Sequence, residues 1–258
     1  MTPKELVLQA VSALFIDFDP EAAKKLLAPD YIQHNPAVPT GAAAIIGFIP
    51  ALQESGVTAT IHRVIAEGDL VVLHTTYDNA QAFGAETLVA FDIFRVEDGK
   101  VVEHWDNLQP AVPASETANG NSMTDGATEV TDLDKTTENK ALVEGFVRDV
   151  LNGAASERIT DYVSTETYTQ HNPLVGNGLD GLAAALAAMA EAGQVMAYTN
   201  TPIVVAEGNF VFIASEGVLG ETPTAFFDLF RIENGKIVEH WDTLSEIPSE
   251  MAHENGKF

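Results

Sequence analysis

Apolar residues in the opening stretch recur at helical spacing: Leu6, Ala10, Val11 and Leu14 follow Pro3 and share one face of a helix. Asp19-Pro20-Glu21 reads as an N-cap with proline in the first turn of a second, short helix. A third apolar helix is expected from about Ala42 to Gln53, stopped by Ser55-Gly56. The period then changes from helical to alternating. Val57 to Glu67, Leu70 to Asp78, Glu86 to Val96 and Lys100 to Leu108 read as four strands, with Gly68-Asp69 and Asp98-Gly99 as turns. Three helices followed by an antiparallel meander predict an α+β domain.

The pattern then starts again. Helices are expected near Glu138 to Leu151, Ser156 to Val163 and Leu179 to Ala192, with strands from Val195 onward. Tyr31-Ile-Gln-His-Asn-Pro36 recurs as Tyr168-Thr-Gln-His-Asn-Pro173, and Ala66-Glu-Gly-Asp69 as Ala206-Glu-Gly-Asn209. Phe91 to Leu108 recurs as Phe227 to Leu244 with 13 of 18 positions identical, so the copies are collinear. Each repeat is domain-sized rather than one turn of a solenoid. Between them lies a stretch rich in Ala, Ser, Thr, Asn, Gly and Asp that cannot bury a core. The expected organisation is a first domain over 1–112, a linker over 113–136 and a second domain over 137–258.

Composition narrows the function. Each repeat holds enough apolar residues for one core, within an overall 46%. With no cysteine, disulfides, thiol nucleophiles and thiolate metal sites are excluded. The start of the chain shows no basic leader with an apolar core, and no apolar run approaches bilayer length, so a cytoplasmic protein is expected. The formal charge of −25, from 38 acidic and 13 scattered basic residues, repels nucleic acid and anionic membrane. Neither is expected as a partner.

Candidate chemistry depends on hairpin register. A two-residue Asp98-Gly99 turn would pair Asp92 with Trp105. A three-residue loop, Glu97-Asp98-Gly99, pairs Asp92 with His104, Phe94 with Val102 and Phe91 with Trp105. The longer loop is preferred because it gives two coherent faces. One carries Ala90, Asp92, Phe94, Val102, His104 and Asp106; the other carries Phe91, Ile93, Arg95, Val101, Glu103 and Trp105. The second repeat likewise groups Asp228, Phe230, Val238, His240 and Asp242. An Asp beside a His on an apolar face suits general acid/base chemistry on a bound organic molecule, or a buried pair that fixes register.

His34-Asn35-Pro36 is placed in a loop between helices, with His34 and Asn35 facing a cavity mouth, as His171 and Asn172 would in the second repeat. His74 is expected to face the same cavity, while His62 and Arg63 are assigned to the surface. The tight histidine spacing of a helical zinc motif is absent, as are phosphate-loop, dinucleotide and GxSxG fingerprints. No metal and no cofactor are expected.

These strings together resemble the SnoaL-like polyketide cyclase group of the nuclear transport factor 2-like superfamily. The resemblance implies two tandem cone-shaped domains, each with about three N-terminal helices packed on a curved antiparallel sheet around one pocket. It further implies cofactor-free aldol-type cyclisation or isomerisation, driven by a carboxylic acid/base beside a histidine. By position the family's polar pocket residues fall on His34, Asp92, His104 and Asp106, and on His171, Asp228, His240 and Asp242. Asn35, His74, Phe94, Asn172 and Phe230 are expected to touch a small hydrophobic carbonyl ligand. The aromatic outer faces around Trp105 and Trp241 imply a covalent pseudo-dimer. The competing reading is a binding protein that uses the same pockets without turnover.

Overall fold

The computed structural model describes residues 1–152 and 155–258. Two units emerge, the first comprising Met1–Ala111 with Pro248–Phe258, the second Val112–Ile247. In the first, helix α1 (Pro3–Phe15) starts at a capping box between Thr2 and Glu5, and α2 (Pro20–Leu26) is capped by Asp19. Strand β1 (Leu27–Gln33) follows, then α3 (Ala42–Ser55), which ends on Gly56 in the left-handed conformation. The meander is β2 (Thr58–Glu67), β3 (Leu70–Asp78), β4 (Thr87–Glu97) and β5 (Lys100–Pro110). The sheet order is β1-β5-β4-β3-β2, with β1 parallel to β5 and the rest antiparallel. The buried stripe of α1 packs with Ile45 and Ile49 of α3 onto Val71, Leu73, Phe94 and Val101 of the sheet.

The second unit repeats the design. Helix α4 (Thr136–Phe146) runs into a wider turn at Val147–Leu151, and α5 (Ile159–Tyr162) precedes strand β6 (Thr169–Gln170). Helix α6 (Gly178–Glu191) leads into β7 (Met196–Glu207), β8 (Phe210–Leu219), β9 (Thr222–Glu233) and β10 (Lys236–Glu246). The sheet order is β6-β10-β9-β8-β7. Among the described residues no helix is long and apolar enough to cross a membrane.

The structure departs from the sequence reading in three places. First, each repeat has a fifth strand, β1 or β6, in the segment read as loop. Pro29 and Asp30 break its alternation, and its pairing with β5 is irregular between Leu27 and Ile32. Second, the hairpin register differs. Asp98 and Gly99, at φ 50° and 72°, form a two-residue turn between the paired Glu97 and Lys100. A bulge then leaves Val102 as the extra residue, because Arg95 pairs with Glu103 while Val96 pairs with Val101. Asp92 therefore faces Asp106 rather than His104, Phe94 faces His104, and Trp105 faces Ile93. The second repeat matches: Asp228 faces Asp242, Phe230 faces His240, and Val238 is the bulged residue. Relative to the expected pairing the register moves by two residues, so Asp92, Phe94, His104 and Asp106 stay on one face. Val101, not Val102, joins that core.

Third, the polar segment read as a linker is ordered within the second unit. Asn121 Nδ2 donates to the Gln170 carbonyl, Asn119 Nδ2 to Asn172, and Trp241 Nε1 to Asp125. Its counterpart in the first unit is the tail 248–258, where Asn255 Nδ2 donates to the Gln33 carbonyl. Ala118 N–H bonds Pro173 O as Ala252 N–H bonds Pro36 O. Such segments order through hydrogen bonds rather than apolar burial, which is why composition alone reads them as linker.

Candidate active site

A cavity of about 50 Å³ lies between helices and sheet in the first unit. Leu14 and Phe15 of α1, Ile45 of α3, Val38, Phe83, Phe94 and Leu108 give it apolar walls. Its polar lining is Tyr31 and Gln33 from β1, Asn35, Tyr77 from β3, Asp92 from β4, and His104 and Asp106 from β5.

Local hydrogen bonds fix the polarity of this cluster. The Gln33 side-chain oxygen accepts from the backbone N–H of His34 at 3.0 Å and of Asn35 at 2.8 Å. That atom must be the carbonyl oxygen, so His104 Nδ1, 2.9 Å away, is the protonated donor. His104 Nε2 consequently faces Asp92 Oδ1 at 3.3 Å. The other Asp92 oxygen accepts from the Tyr77 hydroxyl at 3.0 Å. Burial raises the Asp92 pKa, with the His104 hydrogen bond opposing and the Asp106 charge adding to the shift. Burial also raises Tyr77 well above its usual range, so its phenol stays a donor.

Asp106 is held differently. Its Oδ2 accepts from Asn35 Nδ2 at 2.6 Å, while Asn35 Oδ1 is oriented by the Ala37 N–H at 2.9 Å. Its Oδ1 is buried without a hydrogen-bond partner. The nearest cation is Lys257 of the tail, whose Nζ donates to the Asp106 backbone carbonyl at 2.5 Å and lies 3.8 Å from Oδ1. Burial lowers the pKa of that ammonium, and the Asp106 charge opposes the shift.

The second repeat reproduces most of this network. Gln170 Oε1 receives His240 Nδ1 at 3.0 Å, His240 Nε2 faces Asp228 Oδ1 at 2.9 Å, and Asn172 donates to Asp242 at 2.7 Å. Asp242 Oδ1 is again buried and without a hydrogen-bond partner. Burial pushes the Asp242 pKa up to about 6, opposed by His240 and reinforced by Asp228. His240 is raised despite burial, through the Asp228 hydrogen bond and the charges of Asp242 and Asp228.

Asp92, His104 and Asp106 each offer one ligating atom within 4.8 Å of the others, as do Asp228, His240 and Asp242. In both trios a carboxylate already occupies His Nε2, so a cation would have to break that hydrogen bond.

Three of the expected site histidines lie elsewhere. Because β1 is a strand, alternation turns Tyr31, Gln33 and Asn35 inward and His34 outward. His34 stacks on Trp105 at 4.9 Å, with its ring nitrogens on Gly256 O and Glu103 Oε1. His171 stacks on Trp241 at 4.8 Å between Ser122 O and Glu239. His74 pairs with Phe91 across the strands and stacks on it at 4.3 Å, since the inward parity of β3 is Val71, Leu73, Thr75 and Tyr77. Arg63, expected on the surface, is buried with Nη1 3.1 Å from His74 Nδ1. Phe94 does line the cavity, packed on His104, and Phe230 packs on His240. His34→Ala is expected to destabilise the protein by about 1–3 kcal/mol, since two half-buried acceptors lose a partner and Trp105 loses the ring stacked on it. Its cavity chemistry should be unchanged, as thermal melts and the ketone exchange described below would show together.

The sequence reading missed Gln33, Tyr31, Tyr77, Tyr198 and Lys257. The first two sit in the repeated Tyr-x-Gln-His-Asn-Pro string and were findable there. The phenols on the aspartates were not, because they come from different strands. Tyr77 is on β3, whereas Tyr198, which bonds Asp228 at 3.1 Å, is on β7. Gly217 occupies the Tyr77 position of β8, where a Cβ would meet the Ala197 carbonyl oxygen at 2.0 Å.

Comparison with known proteins follows the repeats. TsrD from Streptomyces laurentii is 24% identical over 41% of this chain and 87% of its own, with a TM-score of 0.35. IdmH from Streptomyces antibioticus, described as a candidate polyketide cyclase, is 21% identical over 42% of this chain and 93% of its own, TM-score 0.36. An NTF2-like protein of unknown function from Cytophaga hutchinsonii is 19% identical over 42% and 91%, TM-score 0.36. No curated protein matches the chain. The model of the SnoaL-like domain matches residues 8–104 and again 143–240. Those two matches span well over half of the chain and coincide with the two sheets and their helices, so the protein belongs to the SnoaL-like family and carries the domain twice.

Proposed function

We propose that the protein is a cofactor-free general acid/base catalyst acting on a small apolar carbonyl compound, as an isomerase or aldol-type cyclase. The observation that carries this reading is Asp106 Oδ1, a buried carboxylate oxygen without a hydrogen-bond partner at a largely apolar cavity. Asp106 takes a proton from the carbon beside the carbonyl, and the C–H electron pair moves to the carbonyl oxygen as an enolate. The His104-Asp92 pair, with Tyr77 behind it, meets that developing charge. In an isomerisation the substrate carries a β,γ double bond, and the proton returns at the γ-carbon as that bond moves into conjugation with the carbonyl. In a cyclisation the carbanion attacks a second carbonyl of the same molecule, whose oxygen takes the proton.

A cavity of about 50 Å³ is well below the several hundred Å³ typical of drug-sized ligands. This favours a small substrate and equally suits the alternative, a pocket that binds without turnover. Cyclopentanone in D2O separates the two. Deuterium incorporation beside its carbonyl, followed by NMR, should run faster with the full chain than in buffer. An unaccelerated rate alongside saturable binding leaves the binding reading.

The proposed setting is the cytoplasm, where a chain without cysteine forgoes no disulfide. The aromatic faces read from the sequence add a pseudo-dimer to the proposal. Small-angle scattering should give the radius of one compact particle, and the radius of two separately tumbling units would refute it.

A further inference from the structure

Two substitutions between the repeats fall next to residues that line the cavity, Leu108 and Asp106. Ala90, on the inward face of β4 opposite Leu108, becomes Phe226, opposite Leu244. The Phe226 ring is fully buried and stacks on Tyr198 at 4.5 Å, and the Tyr198 hydroxyl is already on Asp228. An aromatic ring therefore stands in the second repeat where the first leaves a methyl group beside Asp92. Phe146, from α4, also packs edge-on against Phe230 at 5.8 Å, deepening the apolar fill of that core.

The second substitution lies in the tails. Asn121 and Asn255 hold equivalent carbonyls, those of Gln170 and Gln33. The next carbonyls along, Ser122 O and Gly256 O, each meet a histidine Nδ1. The residues that follow are Met123 and Lys257, both buried. Lys257 brings an ammonium to 3.8 Å from Asp106 Oδ1. Met123 brings none to Asp242, whose pKa burial pushes up to about 6.

We infer that ligand binding and proton transfer belong to the first repeat alone, and that Phe226 and Met123 have made the second repeat a non-binding copy of the same polar network. This rests on the pocket reading above. The first repeat takes a small, mainly apolar ligand that presents one hydrogen-bond donor, or the acidic C–H beside a carbonyl, to the Asp106 end. The second repeat keeps Asp228, His240 and Gln170 because these three satisfy one another.

The test uses phenol, whose ring matches the walls and whose hydroxyl can donate to Asp106 Oδ1. Titrated into the 15N-labelled full chain, it should shift amides around Asp92, His104 and Asp106 along one isotherm and leave those around Asp228, His240 and Asp242 in place. Ala90→Phe should weaken this binding at least tenfold, and Phe226→Ala should open a second set of shifts in β9 and β10. Comparable shifts in both repeats of the unmodified chain overturn the inference and leave the pocket reading intact, whereas shifts in the second alone overturn both. No saturable shift in either repeat overturns the pocket reading and this inference with it. Should Ala90→Phe fail to fold, the map of the unmodified chain decides by itself.

Discussion

Asp106→Asn is expected to slow deuterium exchange of cyclopentanone by about 10²- to 10⁴-fold, the span associated with losing a positioned general base. The asparagine oxygen can still accept from Asn35 Nδ2, so the loop carrying Asn35 keeps its anchor. Asparagine relieves the desolvation cost of a buried carboxylate and removes the charge 3.8 Å from Lys257 Nζ; the two effects oppose one another, so the melting temperature should change little. Loss of exchange without loss of stability is the signature of a base rather than a structural pair. Asp92→Asn should behave in the opposite sense. Both oxygens of Asp92 are engaged, by His104 and Tyr77, and an asparagine cannot accept at both, so stability should drop along with rate. Full exchange in Asp106→Asn would remove Asp106 from the proposed role.

The second large effect is on stability. Asp242→Asn should raise the melting temperature at pH 7 to 8 and flatten its dependence on pH between about 4 and 7. The folded-state pKa of Asp242 is about 6 against an ordinary 3.8, so between those values the folded protein holds more protons than the unfolded chain. Stability therefore falls as pH rises through this window, by about 2–3 kcal/mol once the group is ionised in both states. His240 acts in the same direction: its raised folded-state pKa gives stability below its ordinary value that is lost as pH rises. Glu239 is lowered, with the His171 and Arg231 hydrogen bonds overcoming burial, and so contributes in the opposite sense at the acid end. Asparagine removes the Asp242 contribution while Asn172 retains an oxygen to donate to. An unchanged profile between pH 4 and 7 would mean that Asp242 titrates alike in the folded and unfolded chain.

Much of this was legible in the sequence because it was written twice. Helix stripes, strand spans and the inward set Asp92, Phe94, His104 and Asp106 follow from periodicity and survive a hairpin drawn with the wrong loop. They survive because the shorter turn and the bulge each move the register by one residue, two in all, and side-chain parity is all that a face requires. What periodicity does not carry is a short, irregular parallel strand such as β1, whose partners on β5 lie 71 to 74 residues on. Missing it turned His34 and His171 inward on paper. Repetition also hid the phenols, since Tyr77 and Tyr198 reach equivalent aspartates from non-equivalent strands. Lys257 was invisible for a simpler reason: nothing local ties a lysine in a polar tail to a carboxylate 151 residues earlier.

The placement of the tails sets an order of assembly. The segment that packs on the second repeat, 112–135, precedes it in the chain and is already synthesised when α4 emerges. The segment that packs on the first repeat, 248–258, follows the second repeat. On the ribosome, at roughly 5–20 residues per second, the first sheet waits for several seconds between the completion of β5 and the arrival of Lys257. During that interval Asp106 has neither its ammonium neighbour nor the cover that the tail provides. The unit begun first is thus completed only after the second repeat has been made.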